Sequence, residues 1–87
     1  MAGYRVSLKS SAANEIDSLP TKADRQRVVS RIAALADDPR PQGSEKLGGH
    51  EYRFRVRHGR HRIVYSIDDR ERSVVVVKVG HRKDFCR

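Results

Sequence analysis

A run of alternating residues from Glu51 to Ile67, EYRFRVRHGRHRIVYSI, constrains the fold more than any other part of the chain. Tyr52, Phe54 and Val56 fall on one side of a strand with period two, and arginines fall on the other. Gly59 interrupts the run before the alternation resumes, and a glycine between two such runs is typical of a β-hairpin. The sequence therefore predicts two antiparallel strands with one apolar face and one basic face.

The basic face of this hairpin carries Arg53, Arg55, Arg57 and Arg62, and Arg60 lies at the turn. Like charges that oppose each other across a sheet repel, so a merely solvated surface would be expected to mix positive and negative residues. A solvated charge, or a salt bridge to an acidic residue of the 68–71 segment, explains one isolated arginine. The whole cluster is better explained by an anionic ligand.

Net charge narrows the identity of that ligand. The 87 residues form one domain, 1–87, with a net charge of +8 and a pI near 10.4. Residues 1–39 contain six Lys/Arg and five Asp/Glu, whereas residues 40–87 contain thirteen and six. The positive charge therefore belongs to the half that contains the hairpin, and it favours nucleic acid, a membrane surface or an acidic protein as the partner.

Cysteine and histidine usage excludes several other classes of protein. The single cysteine, Cys86, excludes an internal disulfide and a cysteine-based zinc cluster. The four histidines show no metal-ligand spacing, so we expect no metal and no cofactor. Because no apolar run opens the chain, we expect neither a signal peptide nor a membrane span, and a cytoplasmic location.

The N-terminal part of the chain predicts one strand and two helices. Alternation over 4–9 indicates the strand. A first helix is expected to be capped at the serines 10–11 and to end before Pro20. A second helix is expected to be capped by Thr21 and to end at 37–41. Apolar residues recur at helical spacing in both helices: Ala12, Ala13, Ile16 and Leu19 in the first, and Val28, Val29, Ile32, Ala33, Leu35 and Ala36 in the second.

The remaining segments complete a sheet. A short edge strand is expected at 45–47, followed by the hairpin at 52–67 and a valine run at 74–77. The valine run does not alternate, which is typical of a central strand covered on both faces. The order β-α-α-β-β-β-β predicts an α+β domain, in which a helical hairpin packs on one face of a twisted, mostly antiparallel sheet and the arginine face stays open.

Several phrases in this order resemble the RelE/ParE superfamily of bacterial toxins, and within it the RelE-like messenger-RNA endonucleases. The phrases that carry the resemblance are Leu19-Pro20, LADDPRP at 35–41, Lys46-Leu47, YRFRVR at 52–57, HRIVY at 61–65 and VGHRKD at 79–84. Each phrase alone is weak, but the ordered set covers nearly the whole chain. The resemblance implies the toxin of a type II toxin–antitoxin pair, which cleaves messenger RNA on the ribosome without a metal. It also implies a hetero-oligomer with a cognate antitoxin, whose extended acidic segment covers the basic face.

The resemblance also suggests which residues carry the chemistry. Basic residues of the family stand where Arg53, Arg55, Arg62 and Arg82 stand here, and guanidinium groups suit the charged transition state of phosphoryl transfer. The family often has a catalytic tyrosine near the C-terminus, at the position of Cys86. A cysteine there is a proton acceptor, a weakened site or a bystander. We expect further RNA contacts from other basic residues: Lys46, Arg57, Arg60, His81, Lys83 and Arg87.

Two other functions remain open at this point. One is a ParE-like inhibitor of DNA gyrase without nuclease activity, since the gyrase-poisoning relatives share much of the same framework. The other is a simple basic module that binds RNA or DNA. The arginine set favours the nuclease, and Cys86 weakens that assignment.

Overall fold

The computed structural model describes residues 3–48 and 52–81. The elements follow the predicted order: β1 Arg5–Leu8, α1 Ser10–Asp17, α2 Lys22–Ala34, β2 Glu45–Lys46, β3 Arg53–His58, β4 His61–Asp68 and β5 Ser73–His81. Four of the residues proposed for the site, Arg82, Lys83, Cys86 and Arg87, lie outside the described residues. Within the described part of the chain, no helix has the length and apolar character needed to cross a membrane.

The strands form one sheet in the order β1-β5-β4-β3-β2. The pairs β2/β3, β3/β4 and β4/β5 are antiparallel, and β1 runs parallel to β5. The parallel pair is possible because the helices and three further strands separate β1 from β5 in the sequence, and parallel neighbours require a long connection. The predicted α+β class, with a mostly antiparallel sheet and two helices, is confirmed.

The two helices start differently. Thr21 caps α2 as predicted, because its Oγ1 accepts a hydrogen bond from the Asp24 N–H at 3.0 Å. The predicted serine cap of α1 is wrong: Lys9 holds the N-cap position without a side-chain hydrogen bond, and Ser10 is already the first helical residue. β1 runs to Leu8, so only one residue separates strand from helix and the helix begins earlier than the serine pattern suggested.

The core lies between the helices and one face of the sheet. Its buried members come from both layers: Ala12, Ile16, Leu19, Val28, Ile32 and Leu35 from the helical side, and Phe54, Val56, Ile63, Tyr65, Ile67, Val74, Val76 and Val79 from the sheet. Five apolar residues assigned to these faces lie outside it: Ala13 and Ala36 are only partly buried, and Val29, Ala33 and Tyr52 are exposed. Val29 is 51% exposed and Tyr52 is 66% exposed, the latter because β3 begins one residue later, at Arg53.

Strand β5 corrects the prediction of a strand covered on both faces. Val74 and Val76 are fully buried against the helices, but Val75 and Val77 are only partly buried on the other side. The register shifts here, since Val64 pairs with Lys78 and Tyr65 with Val76, and Val77 forms a β-bulge. The bulge explains the unbroken valine run: it interrupts the alternation without requiring a second covering layer. β5 is an interior strand, but β4 is the middle one.

An exposed polar cluster fastens the segment after α2 to the sheet. The Arg40 guanidinium donates to both carboxylate oxygens of Asp69, at 3.2 and 2.8 Å, and lies 5.2 Å from the centre of the Phe54 ring. The Tyr4 hydroxyl donates to Asp69 Oδ1 at 2.6 Å. The hydrogen bond from Arg40, and to a smaller extent the one from Tyr4, lowers the pKa of Asp69. The hydrogen bond between Tyr4 and Asp69 also raises the pKa of Tyr4. Deeper in the core, the Tyr65 hydroxyl donates to the Pro39 carbonyl at 2.8 Å.

Candidate nucleic-acid interface

The hairpin of β3 and β4 brings four arginines onto the side of the sheet that faces away from the helices. Arg57 pairs directly with Arg62, while Arg55 pairs with Val64 and Arg53 with Ser66. Because side chains alternate along a strand, Arg53, Arg55, Arg57 and Arg62 share one side, which we call the arginine face. The hairpin closes at Gly59 and Arg60, and Gly59 has a φ of +60°, as a two-residue turn with glycine in its first position requires.

Electrostatics on the arginine face are unbalanced. Arg57 and Arg62 lie opposite each other in the ladder, where like charges destabilise the pair. The Nε of Arg62 is buried and finds no hydrogen-bond partner among the residues that the structure describes, a feature that it shares with Arg31 on α2. A buried donor without a partner costs about 1–3 kcal/mol, and more when the group is charged. An anion bound at this point would relieve both penalties.

One arginine of the face already has an acidic partner. Arg55 Nη2 donates to Glu45 Oε1 at 2.7 Å, from β3 to the edge strand β2. This hydrogen bond, with the added attraction of Arg55, Arg57 and Arg62, lowers the pKa of Glu45. The carboxylate therefore responds to the field of several arginines at once, as a phosphate in the same place would.

The remaining predicted contacts within the described residues lie elsewhere. Arg60 is exposed in the hairpin turn. Lys46 pairs with Phe54 and His81 with His61, which places both on the helix side of the sheet. His61 is only 7% exposed, and its ring lies 6.1 Å from that of His81 in an edge-to-face arrangement. The arginine face thus collects Arg53, Arg55, Arg57 and Arg62 but not Lys46 or His81. RNA binding by Lys46 and His81 stays a prediction.

A glutamate on α1 supports the strand that leads towards Arg82. β1 pairs with β5 from Ser73 to Val76, and within the described ranges 3–48 and 52–81 the later residues of β5 pair with no strand on that side. Glu15 Oε1 accepts a hydrogen bond from the Val79 N–H at 2.8 Å, and its other oxygen lies 3.8 Å from Lys78 Nζ. Glu15 therefore fixes the end of β5 where the ladder stops.

Sequence reasoning missed three of these features. Glu45 became relevant only through its register with Arg55, and Glu15 only through the early end of β1. Tyr52 was assigned to the core by extending the alternation of β3 one residue too far. A usable signal existed only for Tyr52, which directly follows a segment containing a Gly-Gly pair, where a strand often has not yet begun.

Two helices on one side of a five-stranded sheet, with clustered arginines on the other, define a small α+β protein suited to binding an anion. Residues 6–84 match the family described as the ParE toxin of the type II toxin-antitoxin system, parDE. The chain belongs to this family of toxins, and the RelE/ParE resemblance drawn from the sequence is confirmed.

Individual relatives agree with this assignment. Toxin RelG of Mycobacterium tuberculosis is 30% identical over 87 residues, which is 97% of each chain. The toxin–antitoxin complex RelBE2 of the same organism contains a chain with a TM-score of 0.79 and 29% identity, covering 92% of this chain and 99% of that one. The archaeal RelE–RelB complex of Pyrococcus horikoshii gives a TM-score of 0.80 and 27% identity, with 92% and 96% covered.

Proposed function

We propose that this toxin is a metal-independent, ribosome-dependent endonuclease that cleaves messenger RNA and thereby stops translation. The observation that carries the proposal is the arginine face, above all Arg62, whose buried Nε has no partner in the described part of the chain. The similarity to RelG and to RelE–RelB structures supports the RelE-like branch over a general basic module.

The proposed reaction uses the substrate's own 2′-hydroxyl as the nucleophile. Its oxygen loses a proton and attacks the adjacent phosphorus, and the bond to the 5′-oxygen breaks. The leaving oxygen takes up a proton from solvent, so the products are a cyclic 2′,3′-phosphate and a 5′-hydroxyl. Charge gathers on the phosphoryl oxygens in the transition state, where fixed guanidinium groups stabilise it. Arg55 and Arg62 supply these groups, with Arg53 beside them on β3 and Arg82 following β5 in the sequence.

Proton transfer needs a second kind of group. Arginine is always protonated and cannot accept the 2′-hydroxyl proton. Cys86 stands where the family often has a tyrosine, and neighbouring Arg82, Lys83 and Arg87 would favour its thiolate form. We assign it as the candidate acceptor. His81 is not the preferred choice because its strand register points it to the helix side of the sheet.

An antitoxin is the proposed protein partner. The solved relatives include toxin–antitoxin complexes, and the arginine face offers a docking surface for an acidic, extended segment. Such a segment would have to replace Glu45 as the partner of Arg55. Steering by positive charge makes its association fast and sensitive to salt, so an association rate indifferent to ionic strength would contradict this assignment.

The alternative is inhibition of DNA gyrase, and one observation favours it: the matching family is that of the ParE toxin. The decisive experiment maps the 5′ ends of ribosome-bound messenger RNA after the toxin is induced. New 5′ ends at fixed positions in codons, with translation arrested first, support the nuclease. Replication arrest and DNA damage with intact messenger RNA support the gyrase inhibitor.

Arg62→Ala provides the matched test of the site. Removing one transition-state contact costs about 2.7–4 kcal/mol, so we expect cleavage to fall about 10²–10³-fold. Arg27→Ala is the control, since Arg27 is an exposed arginine on α2 whose loss changes the net charge equally. Full cleavage by a folded Arg62→Ala variant would remove the arginine face from the mechanism.

A further inference from the structure

Tyr52 presents an aromatic ring to solvent on a backbone that is held in place. Its side chain is 66% exposed, although it directly precedes β3. Its carbonyl accepts a hydrogen bond from the Ile67 N–H at 2.9 Å, so the backbone is tied to β4 while the ring projects outwards. An exposed, positioned aromatic ring is a platform on which a nucleobase stacks.

The ring borders a cleft of about 800 Å³ that continues the arginine face. The cleft is lined by Tyr52 and by residues of β4, β5 and the turn between them: Ser66, Ile67, Asp68, Asp69, Arg70, Ser73 and Val75. Ser66 pairs with Arg53 on one side and with Val75 on the other, and Asp68 pairs with Ser73. By strand alternation Ser66, Asp68, Ser73 and Val75 share the side of the sheet that carries the arginines. The cleft and the arginine face are therefore two ends of one surface.

The two ends differ in chemistry. The arginine end carries four cations, whereas the cleft combines the hydroxyl groups of its serines and the carboxylates of Asp68 and Asp69 with one cation, Arg70. Carboxylates and hydroxyls accept hydrogen bonds from base amino groups, and a carboxylate is a usual partner of the cytosine amino group. Ser66 lies four residues from Arg62 along β4, about 13 Å at the rise of a β-strand. One RNA strand can therefore place a phosphate at Arg62 and a base beyond it in the cleft.

We propose that the Tyr52 cleft is a base-binding subsite for the RNA strand whose scissile phosphate lies on the arginine face. This inference rests on the proposed nuclease function. The bound base stacks on Tyr52 and presents an amino group to Asp68 or to the serines, so adenine, cytosine and guanine are accepted better than uracil.

The test uses short RNA with 2′-O-methyl groups, which bind but cannot be cleaved, and a series in which each base in turn is removed. In the wild-type protein, loss of the base at one position should weaken binding about tenfold, because stacking on an aromatic side chain is worth about that much. In Tyr52→Ala the same loss should have little effect. Tyr52→Phe should behave as the wild type, since it keeps the ring. Val29→Ala, which shortens an exposed apolar side chain on α2, is the matched control. This variant should bind each oligonucleotide of the series as tightly as the wild type does.

The outcomes separate this inference from the proposed function. In one outcome, Arg62→Ala weakens the binding of every oligonucleotide, whereas removing a base changes the affinity of Tyr52→Ala and of the wild type equally at each position. The subsite is then refuted and the nuclease assignment stands. If the wild type binds no oligonucleotide, the subsite is refuted, while the nuclease assignment is decided separately by the mapping of 5′ ends on ribosome-bound messenger RNA. If Tyr52→Ala weakens only the complex with the antitoxin, the cleft belongs to the protein partner and the inference is overturned. Because the chain contains no tryptophan, Tyr52→Trp adds a direct readout: its fluorescence should be quenched only by RNA that retains the base at that position.

Discussion

Replacing Glu15 tests how the end of β5 is held. The Glu15 carboxylate accepts the Val79 N–H at 2.8 Å in a partly buried position, and it lies 3.8 Å from the Lys78 ammonium. In Glu15→Ala the Val79 N–H loses this acceptor at a place where β1 no longer pairs with β5. We expect a folded but less stable protein whose β5 end opens more easily.

The expected loss follows from the two contacts. A hydrogen bond to a charged group contributes about 1.5–3 kcal/mol, and an ion pair as exposed as this one, at 45% and 33%, contributes between about 0 and 1 kcal/mol. Alanine regains a few tenths of a kcal/mol through helix propensity. The net loss is about 2 kcal/mol, which corresponds to a fall in Tm of about 8–16 °C for a domain of this size. Glu15→Gln keeps an oxygen acceptor and should lose about half as much.

Thermal unfolding and amide hydrogen exchange measure these effects. Asp17→Ala is the matched control, because Asp17 is an exposed carboxylate at the C-terminal end of the same helix. Its removal should leave Tm unchanged or slightly raised, since an acidic residue is unfavourable at a helix C-terminus. The Val79 amide should exchange faster in Glu15→Ala than global destabilisation explains. Equal Tm values for the Glu15 and Asp17 variants, with unchanged exchange at Val79, would refute the reasoning.

Further predictions concern the acidic groups and the tail. Glu45→Gln should tighten the binding of short RNA, because Arg55 loses its competing carboxylate; weaker binding would contradict this. Arg40 lowers the pKa of Asp69, so the ionised carboxylate stabilises the folded protein. This contribution to the free energy of unfolding is present above about pH 4 and is lost as pH falls through the lowered pKa. The difference in Tm between wild type and Asp69→Asn should therefore shrink in acid, and a constant difference would refute the assignment. Because Cys86 is assigned as the proton acceptor, Cys86→Ser should abolish messenger-RNA cleavage on ribosomes, since a serine hydroxyl does not form an anion as a thiol does; cleavage at the wild-type rate would leave the arginines as the whole site.

Strand alternation was enough to predict much of the fold. The period-two run around Gly59 located β3, β4 and the side on which their arginines lie, because a strand with one buried face must keep its apolar residues in phase. Alternation failed where the strand itself departs from regular geometry. Tyr52 lies before β3 begins, and the bulge at Val77 breaks the phase of β5. The period-two pattern of the sequence does not specify either departure, because both depend on which residue of the neighbouring strand lies opposite.

The pairing of Arg55 with Glu45 shows why the sequence was enough to locate the arginine face but not to predict which of its charges are neutralised. The two residues are ten apart in sequence, and β2, which carries Glu45, is only two residues long at the edge of the sheet. Its contact with Arg55 depends on the register of β2 against β3, which the sequence pattern does not specify for so short a strand. Once formed, the contact occupies one guanidinium of the arginine face. Arg62, on the same face, keeps a buried donor that has no partner among the described residues. An incoming phosphate or acidic segment therefore gains most at Arg62 and must displace a carboxylate at Arg55. We therefore expect Arg62→Ala to weaken ligand binding more than Arg55→Ala does, although both remove one positive charge.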